Sequence, residues 1–341
     1  MFWGLEAGLL SLSFLAPLAI VLVFMRPYLD YLVRKGRVGD DVHKVPPTKV
    51  PFPAGPLLFA GAVAGEGMVY LLSGSLVPLA VIGAAAVAFA IGLVDDLYVM
   101  GPKTKPLLLI LAGMPLVVLY LAGHHVYLPA VSFPILGATS EHFTIYSILA
   151  VAGFPIVANA FNMMDSFNGQ VSGFSLLTSI ALLVAAALRG LKSGSATGAA
   201  GVLPLVAISA AFLVFNRYPS RAFDGDSGAL MLGAMYAALA ITGGVEIAAI
   251  VAILPAILNS FYVLSSLRGF VERRKVRTRP TRLGDDGRLY ASFEPGAPVT
   301  IVRMLLLDGP LGEKELVRDI LALTAFACLL SVVTSVLTWV I

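Results

Sequence analysis

The chain has 341 residues, of which 58% are hydrophobic and only 13% are charged, and its formal net charge at pH 7 is +3. A soluble domain carries about 25% charged residues, so this composition excludes a water-soluble globular protein and also an intrinsically disordered one. The predicted fold class is an all-α polytopic integral membrane protein. The single cysteine, Cys328, excludes an intramolecular disulfide and a cysteine-based metal cluster.

Apolar runs long enough to cross a bilayer predict about ten transmembrane helices. In chain order they lie at roughly 3–25, 55–72, 76–94, 106–121, 144–158, 171–188, 200–215, 228–242, 244–265 and 318–341. If these ten helices cross the membrane in turn, 21 of the 23 Lys and Arg residues fall in loops on the same side of the membrane. The positive-inside rule therefore predicts that these loops are cytoplasmic and that both termini are extracytoplasmic. The first run has neither a basic region before it nor a small-residue cleavage site, which predicts a retained helix.

The connecting segments predict only small amounts of other structure. The outer loop 124–137 predicts an extracytoplasmic β-hairpin, and the turn at 284–287 predicts a hairpin inside the cytoplasmic segment 268–317. The first cytoplasmic loop, which is rich in proline up to Gly55, predicts a re-entrant or surface cover over the same face.

Two adjacent carboxylates, Asp95 and Asp96, end the third predicted helix, and Lys105 follows in the same loop. The carboxylates repel each other, and they also oppose the dipole at a helix C-terminus. This arrangement favours a cation site or a proton-transfer role, with a solvated helix terminus as the alternative.

A further group of polar residues follows the fifth predicted helix, and it contains no Lys or Arg. Asn159 and Asn162 share one face of a helical turn, and Asp165 lies one step further along it. Amide and carboxylate oxygens on one face suit a hard cation such as Mg²⁺. The alternative is polar capping of the helix end, followed by a turn at Asn168 and Gly169.

Another group of polar residues follows the seventh predicted helix. Asp226 and Ser227 stand just before the next apolar run, where an ordinary N-cap is the alternative to a site role. All three groups of polar residues fall on the predicted cytoplasmic face beside basic residues. Oxygen ligands for a metal, together with cations for the remaining phosphate charge, are what a magnesium-diphosphate site needs.

The segment 268–317 begins with a basic run. Within fifteen residues it contains Arg268, Arg273, Arg274, Lys275, Arg277, Arg279 and Arg282. Such a run is most often an anchor to anionic lipid headgroups. Alternation of Arg277 and Arg279 would instead put two guanidinium groups on one side of an extended strand, which suits phosphate contacts. Nucleic-acid binding is not predicted, because the run is short and has no aromatic platform.

The pattern resembles the polyprenyl-phosphate N-acetylhexosamine-1-phosphate transferases over nearly the whole chain. The motifs that carry the resemblance are Asp95-Asp96 with Lys105, the run from Asn159 to Gly169, and the run 219–228. Members of this family combine a UDP-amino-sugar with a lipid phosphate, and they release UMP. The resemblance implies a single transmembrane catalytic domain, 1–341, in which 268–317 is a substrate-recognition loop.

Within that family the chain is most similar to the dolichyl-phosphate N-acetylglucosamine-1-phosphotransferases of eukaryotes and archaea. Asp41-Val42-His43-Lys44 resembles a loop of that branch, and the run 277–283 resembles its sugar-recognition loop, although Thr278 replaces a frequent histidine. The resemblance implies substrate binding by Lys44 and Arg282. It also implies UDP-GlcNAc and a dolichyl or polyprenyl phosphate as substrates, and a homodimer is left open. The compact chain fits an archaeal cell membrane, with the active site on the cytoplasmic face.

The resemblance also assigns roles to individual residues. Asn162 and Asp226 correspond to ligands of Mg²⁺, with Mn²⁺ as an alternative metal. Lys105, Arg277 and Arg279 correspond to residues that hold the diphosphate.

The remaining assignments concern the two substrates. Asp95 and Asp96 correspond to residues beside the lipid phosphate, as a base or as orienting groups, and orientation is favoured because a phosphate monoester is mostly dianionic at neutral pH. Asn159 and Asn168 correspond to residues that shape the sugar-nucleotide pocket. The alternatives are an undecaprenyl-phosphate amino-sugar-1-phosphate transferase and a membrane transporter, although no internal repeat of the kind found in transporters is visible.

Overall fold

The computed structural model describes residues 2–269 and 278–340. Its helices are Phe2–Arg34 (α1), Gly55–Ser73 (α2), Val77–Leu97 (α3), Thr104–Leu109 (α4), Met114–Leu121 (α5), Phe143–Met163 (α6), Gln170–Ser193 (α7), Thr197–Asn216 (α8), Gly225–Thr242 (α9), Glu246–Ala252 (α10), Leu254–Ser266 (α11), Ile301–Leu305 (α12) and Glu313–Trp339 (α13). A short 3₁₀ turn, Ile110–Gly113, joins α4 to α5. The predicted all-α architecture is confirmed.

Eight segments of the described residues are long and apolar enough to cross a membrane, and the bent pair α10–α11 raises this number to nine. The chain is therefore an integral, multi-pass membrane protein. The remaining predicted segment, 228–242, lies in α9, which is not among these nine. The first turn of α9 carries Gly225, Asp226 and Ser227, and these residues lower its mean hydropathy.

The predicted span 244–265 is broken into α10 and α11, whose axes differ by 65°. The break falls at Ile253, and Pro255 stands in the first turn of α11. Proline has no backbone N–H and clashes with the preceding turn, so it is tolerated at a helix start but not inside a continuous helix.

Helix α9 occupies the centre of the bundle, because every residue from Ser227 to Ile241 is buried. A helix that is buried on all sides is surrounded by other helices of the bundle. Glycines allow two of these neighbours to approach closely. A Cβ atom at Gly92 of α3 would lie 2.5 Å from Ser227 Cα, and one at Gly233 of α9 would lie 2.7 Å from Ala158 Cα of α6.

These contacts bring the end of α3 and the end of α6 to the start of α9. We call this region the polar end of the bundle. Ala158 of α6 packs against Gly233 of α9. Asp165, which follows the end of α6, lies beside Asp224, which precedes the start of α9. The two helices therefore run antiparallel.

Three antiparallel hairpins complete the described structure: Val38–Asp41 with Thr48–Pro51 (β1–β2), Ala130–Phe133 with Gly137–Ser140 (β3–β4), and Thr281–Leu283 with Leu289–Ala291 (β5–β6). The second and third confirm the predicted hairpins. The first was not predicted, and it folds the first connecting loop against the bundle, where Phe223 N–H donates to the Pro51 carbonyl at 3.1 Å.

Candidate active site

Lys105 joins two carboxylates at the polar end of the bundle. Its ammonium lies 2.8 Å from Asp95 Oδ2 and also pairs with Asp226 Oδ2. The backbone N–H of Met100 donates to Asp95 Oδ1 at 2.5 Å, which fixes the orientation of that carboxylate. Three of the predicted site residues, from three separate helices, therefore form one cluster, which we call the first polar cluster.

Asp96 has a different set of partners from Asp95. Its Oδ1 accepts the backbone N–H of Asp226 at 2.8 Å, and its Oδ2 accepts the backbone N–H of Ser227 at 3.0 Å. The first N–H groups of a helix have no partner within the helix, and a carboxylate there is favoured by the helix dipole. Asp96 thus caps α9 and fixes the position of the Asp226 backbone.

We expect Asp96→Ala to lower the thermal stability of the protein in detergent, because two backbone donors of α9 lose their acceptor. The loss of a helix cap costs about 1–2 kcal/mol. Asp285→Ala is the control: it removes an exposed carboxylate of the turn between β5 and β6, so it should leave the melting temperature at that of the wild type. Equal melting temperatures for the two variants would contradict the capping role.

Asn162 lies in the last turn of α6, one turn beyond Ala158, and is half-buried. Because α6 runs antiparallel to α9, this places Asn162 at the level of the α9 start. Its side-chain amide forms no hydrogen bond with another described residue. Asn159 differs, since its amide donates to the Pro155 carbonyl of its own helix at 2.7 Å.

Asp224 immediately precedes α9 and is fully buried. Within the described part of the chain, no N–H or hydroxyl group donates to its carboxylate, which lies within hydrogen-bonding reach of the Asp165 carboxyl group. Burial raises the pKa of Asp224 well above its usual range, and the neighbouring Asp165 carboxylate raises it further. Asp224 is not among the predicted site residues.

Lys44 lies in a second polar cluster, formed by the loop between β1 and β2 and the start of α13. Its ammonium is 3.3 Å from Asp41 Oδ2, pairs with Glu313 Oε2, and lies 4.2 Å from the centre of the Tyr218 ring. Asp41, His43 and Glu313 bring possible metal-ligand atoms within 4.8 Å of one another. The Lys44 ammonium already supplies positive charge between two of these groups, which disfavours a metal ion there.

Glu313 also links this cluster to the connection between α6 and α7. Its Oε1 accepts the backbone N–H of Asn168 at 2.9 Å. The side chain of Asn168 is buried, and its Oδ1 accepts the backbone N–H of Ser220 at 2.7 Å. Asn168 therefore ties two loops together, and Glu313 is a site-region residue that was not predicted.

The β5–β6 hairpin is attached beside Glu313. Leu289 and Leu311 exchange backbone hydrogen bonds of 2.8 and 3.1 Å. Arg282 is exposed and lies 4.7 Å from the centre of the Tyr290 ring. Arg279 is exposed just before β5, whereas Arg277 lies outside the described residues.

The family model described as glycosyl transferase family 4 matches residues 78–244, from the start of α3 to just beyond α9. Over this range the chain is similar to glycosyl transferase family 4. The matched range includes Asp95, Lys105, Asn162 and Asp226, so the cluster around Lys105 lies entirely within it. The family resemblance predicted from the sequence is confirmed.

Similar proteins extend the resemblance beyond that range. A Sulfolobus acidocaldarius protein provisionally named UDP-N-acetylglucosamine–dolichyl-phosphate N-acetylglucosaminephosphotransferase is 29% identical over 96% of each chain. A Dictyostelium discoideum protein with the same activity in its name is 26% identical over 66% of this chain and 60% of its own. A phospho-N-acetylmuramoyl-pentapeptide-transferase of Dictyoglomus thermophilum is 27% identical over 78% of this chain and 82% of its own.

Proposed function

We propose that this protein transfers N-acetylglucosamine 1-phosphate from UDP-GlcNAc to dolichyl phosphate or another polyprenyl phosphate, with release of UMP. The names of the Sulfolobus and Dictyostelium relatives support this activity. The observation that carries the proposal is the Lys105 ammonium held between Asp95 and Asp226. A cation for phosphate charge beside carboxylates for a metal is the combination that transfer of a phosphoryl group requires.

The residues at the polar end fit a magnesium ion. Asn162 offers an amide oxygen, and Asp226 offers a carboxylate that is half-buried at a helix start. Both are hard oxygen donors, and Mg²⁺ prefers such ligands together with substrate phosphates. When bound, the ion would supply charge neutralisation for the diphosphate and would polarise the phosphorus that is attacked.

The chain's own residues orient the acceptor and balance charge. A phosphate monoester has a second pKa of about 6, so the acceptor is mostly dianionic at neutral pH and needs little help from a base. Asp95 is held by Lys105 and by the Met100 N–H, and both oxygens of Asp96 accept bonds from α9. We therefore assign both aspartates to positioning. An acceptor oxygen attacks the β-phosphorus, the bond from that phosphorus to the bridging oxygen breaks, and UMP leaves.

The second polar cluster suits the sugar nucleotide. Lys44 and Asn168 are joined through Glu313, and the β5–β6 hairpin with Arg282 is attached to the residues before Glu313. Exposed guanidinium groups at Arg279 and Arg282 would contact phosphate oxygens from this side. Asn159, whose amide is bonded to its own helix, would shape the pocket without a direct polar contact.

The charge distribution supports a cytoplasmic active site with both termini extracytoplasmic, since the loops that carry most Lys and Arg are those at the polar end. All of the chain would then act as one catalytic unit, in which 268–317 recognises substrate.

The test is release of UMP by the purified protein in detergent with dolichyl phosphate, UDP-GlcNAc and Mg²⁺, with an EDTA control. We expect UMP and a lipid-linked sugar to form together and only with the divalent cation present. Release of UMP from another UDP-sugar alone, or with undecaprenyl phosphate alone, would keep the chemistry and change the specificity. Absence of UMP with every donor and acceptor would overturn the proposal in favour of a transporter.

A further inference from the structure

Helix α12 and the turn that follows it, residues 301–308, carry apolar side chains on two sides. Val302 and Leu306 are buried and belong to the main hydrophobic core of the bundle. Met304 is 45% exposed and Leu307 is 56% exposed, although neither lies in an apolar run that predicts a membrane span. These two residues are three positions apart, so they share one side of the segment. The segment therefore presents a second apolar side, directed away from the core.

Asn259, a buried residue of α11, fixes the place where α12 begins. Its Oδ1 accepts the backbone N–H of Ile301 at 3.0 Å, and its amide donates to the Met163 carbonyl at 3.4 Å. Met163 is the last residue of α6, which is one of the segments that cross the membrane. The start of α12 therefore lies level with the end of a membrane span, where the hydrocarbon core of a bilayer meets the headgroups.

The exposed apolar side of α12 adjoins two spans that face lipid. Met304 lines a cleft together with Leu258 of α11 and Leu323 of α13. Leu258 is 38% exposed and Leu323 is 39% exposed, and both lie on segments that cross the membrane, so they face the lipid chains. Leu323 is one turn beyond Asp319, the last charged residue of α13. The surface of α12 is therefore continuous with the surface that the bundle presents to the bilayer.

We propose that residues 301–308 form an interfacial membrane anchor, whose Met304 and Leu307 side chains insert among the lipid chains at the polar end of the bundle. An amphipathic helix at the headgroup boundary buries its apolar face to a depth of about 5–10 Å. The continuity with α11 and α13 identifies the bilayer as the partner of this surface. The anchor also fixes the height of the β5–β6 hairpin above the membrane, because β6 packs against the turn that follows α12. The proposal does not depend on the reaction that the protein catalyses.

The experiment measures the depth of nitroxide spin labels in the full-length protein, reconstituted in lipid nanodiscs. Labels at Met304→Cys and Leu307→Cys, each in a Cys328→Ala background, are compared with labels at Leu329→Cys, exposed on α13, and at Asp285→Cys, exposed on the β5–β6 hairpin. Oxygen dissolves in the hydrocarbon, so it should relax the first two labels more than a water-soluble nickel chelate does, at a depth of about 5–10 Å. Oxygen should also dominate at position 329, and the nickel chelate should dominate at position 285.

Dominance of the nickel chelate at both positions of the segment would overturn the proposal. So would protection of both labels from oxygen and from the chelate, which would instead favour a second copy of the chain on this surface. Leu307→Trp, made in the protein with its native Cys328, provides a second measurement if the Cys328→Ala background fails to fold. Brominated lipids should quench the fluorescence that this variant adds to the wild type, and unquenched added fluorescence would contradict the anchor. Neither readout uses a substrate, so failure here leaves the UMP assay unaffected.

Discussion

Replacement of Lys105 by alanine is expected to lower turnover by about 10²–10³-fold, the range seen when one electrostatic contact to a transition state is removed. The Lys105 ammonium lies between Asp95 and Asp226, so its removal deletes a contact to the diphosphate and also leaves the two carboxylates facing each other. The expected result is a fall in the maximum rate of UMP release at saturating UDP-GlcNAc and Mg²⁺.

The chain offers a close control for this change. Lys103 is the same residue type two positions earlier, but it is exposed and belongs to no ion pair among the described residues. Lys103→Ala should therefore retain the wild-type rate. Lys105→Arg should recover little activity, because a planar guanidinium does not replace a compact ammonium between two carboxylates. Near-normal turnover of Lys105→Ala would remove Lys105 from the active site.

The first polar cluster was predictable because its residues stand at helix ends. Asp95, Lys105 and Asp226 occupy short loops beside long apolar runs, so hydropathy and the positive-inside rule were enough to place them on one face. Asp96 was grouped with Asp95 for the same reason. Its role as the cap of α9 could not be predicted, because adjacent residues in a sequence carry no information about which of them faces another helix.

The second polar cluster shows what the sequence lacks. Lys44 and Glu313 are separated by 269 positions, and their ion pair depends on the packing of α13 beside the loop of the β1–β2 hairpin. That hairpin is only four residues long on each side and has no alternation of apolar and polar residues, so no strand was predicted there. Glu313 was consequently read as part of a recognition loop, although it begins α13.

Asp224 was missed for a different reason. A carboxylate in a loop is normally solvated, and sequence gives no measure of burial for a single position between helices. Its burial follows from Gly228, which leaves room for the side chain, and from the close packing of α3 and α6 around α9. Tertiary packing therefore buries a carboxyl group that the sequence alone would leave in solvent.

Asp226→Asn is expected to abolish the dependence of UMP release on Mg²⁺ and to lower the rate at saturating Mg²⁺ by about 10²–10³-fold. An asparagine keeps the size of the side chain and leaves the backbone N–H that donates to Asp96 in place, so α9 should keep its cap. The lost property is the negative charge that binds the ion. The measurement is the initial rate against Mg²⁺ concentration, with Asp285→Asn, an exposed carboxylate, as the control.

A companion variant separates metal binding from simple loss of charge near Lys105. Asn162→Asp adds a carboxylate to the other ligand proposed for the same ion, so half-maximal activity should occur at a lower Mg²⁺ concentration than in the wild type, because ligand charge raises the affinity for a hard cation. If Asp226→Asn kept the wild-type rate and the wild-type Mg²⁺ midpoint, and Asn162→Asp left that midpoint unchanged, neither residue would be a ligand. The carboxylate of Asp226 would then serve only to hold Lys105 in place.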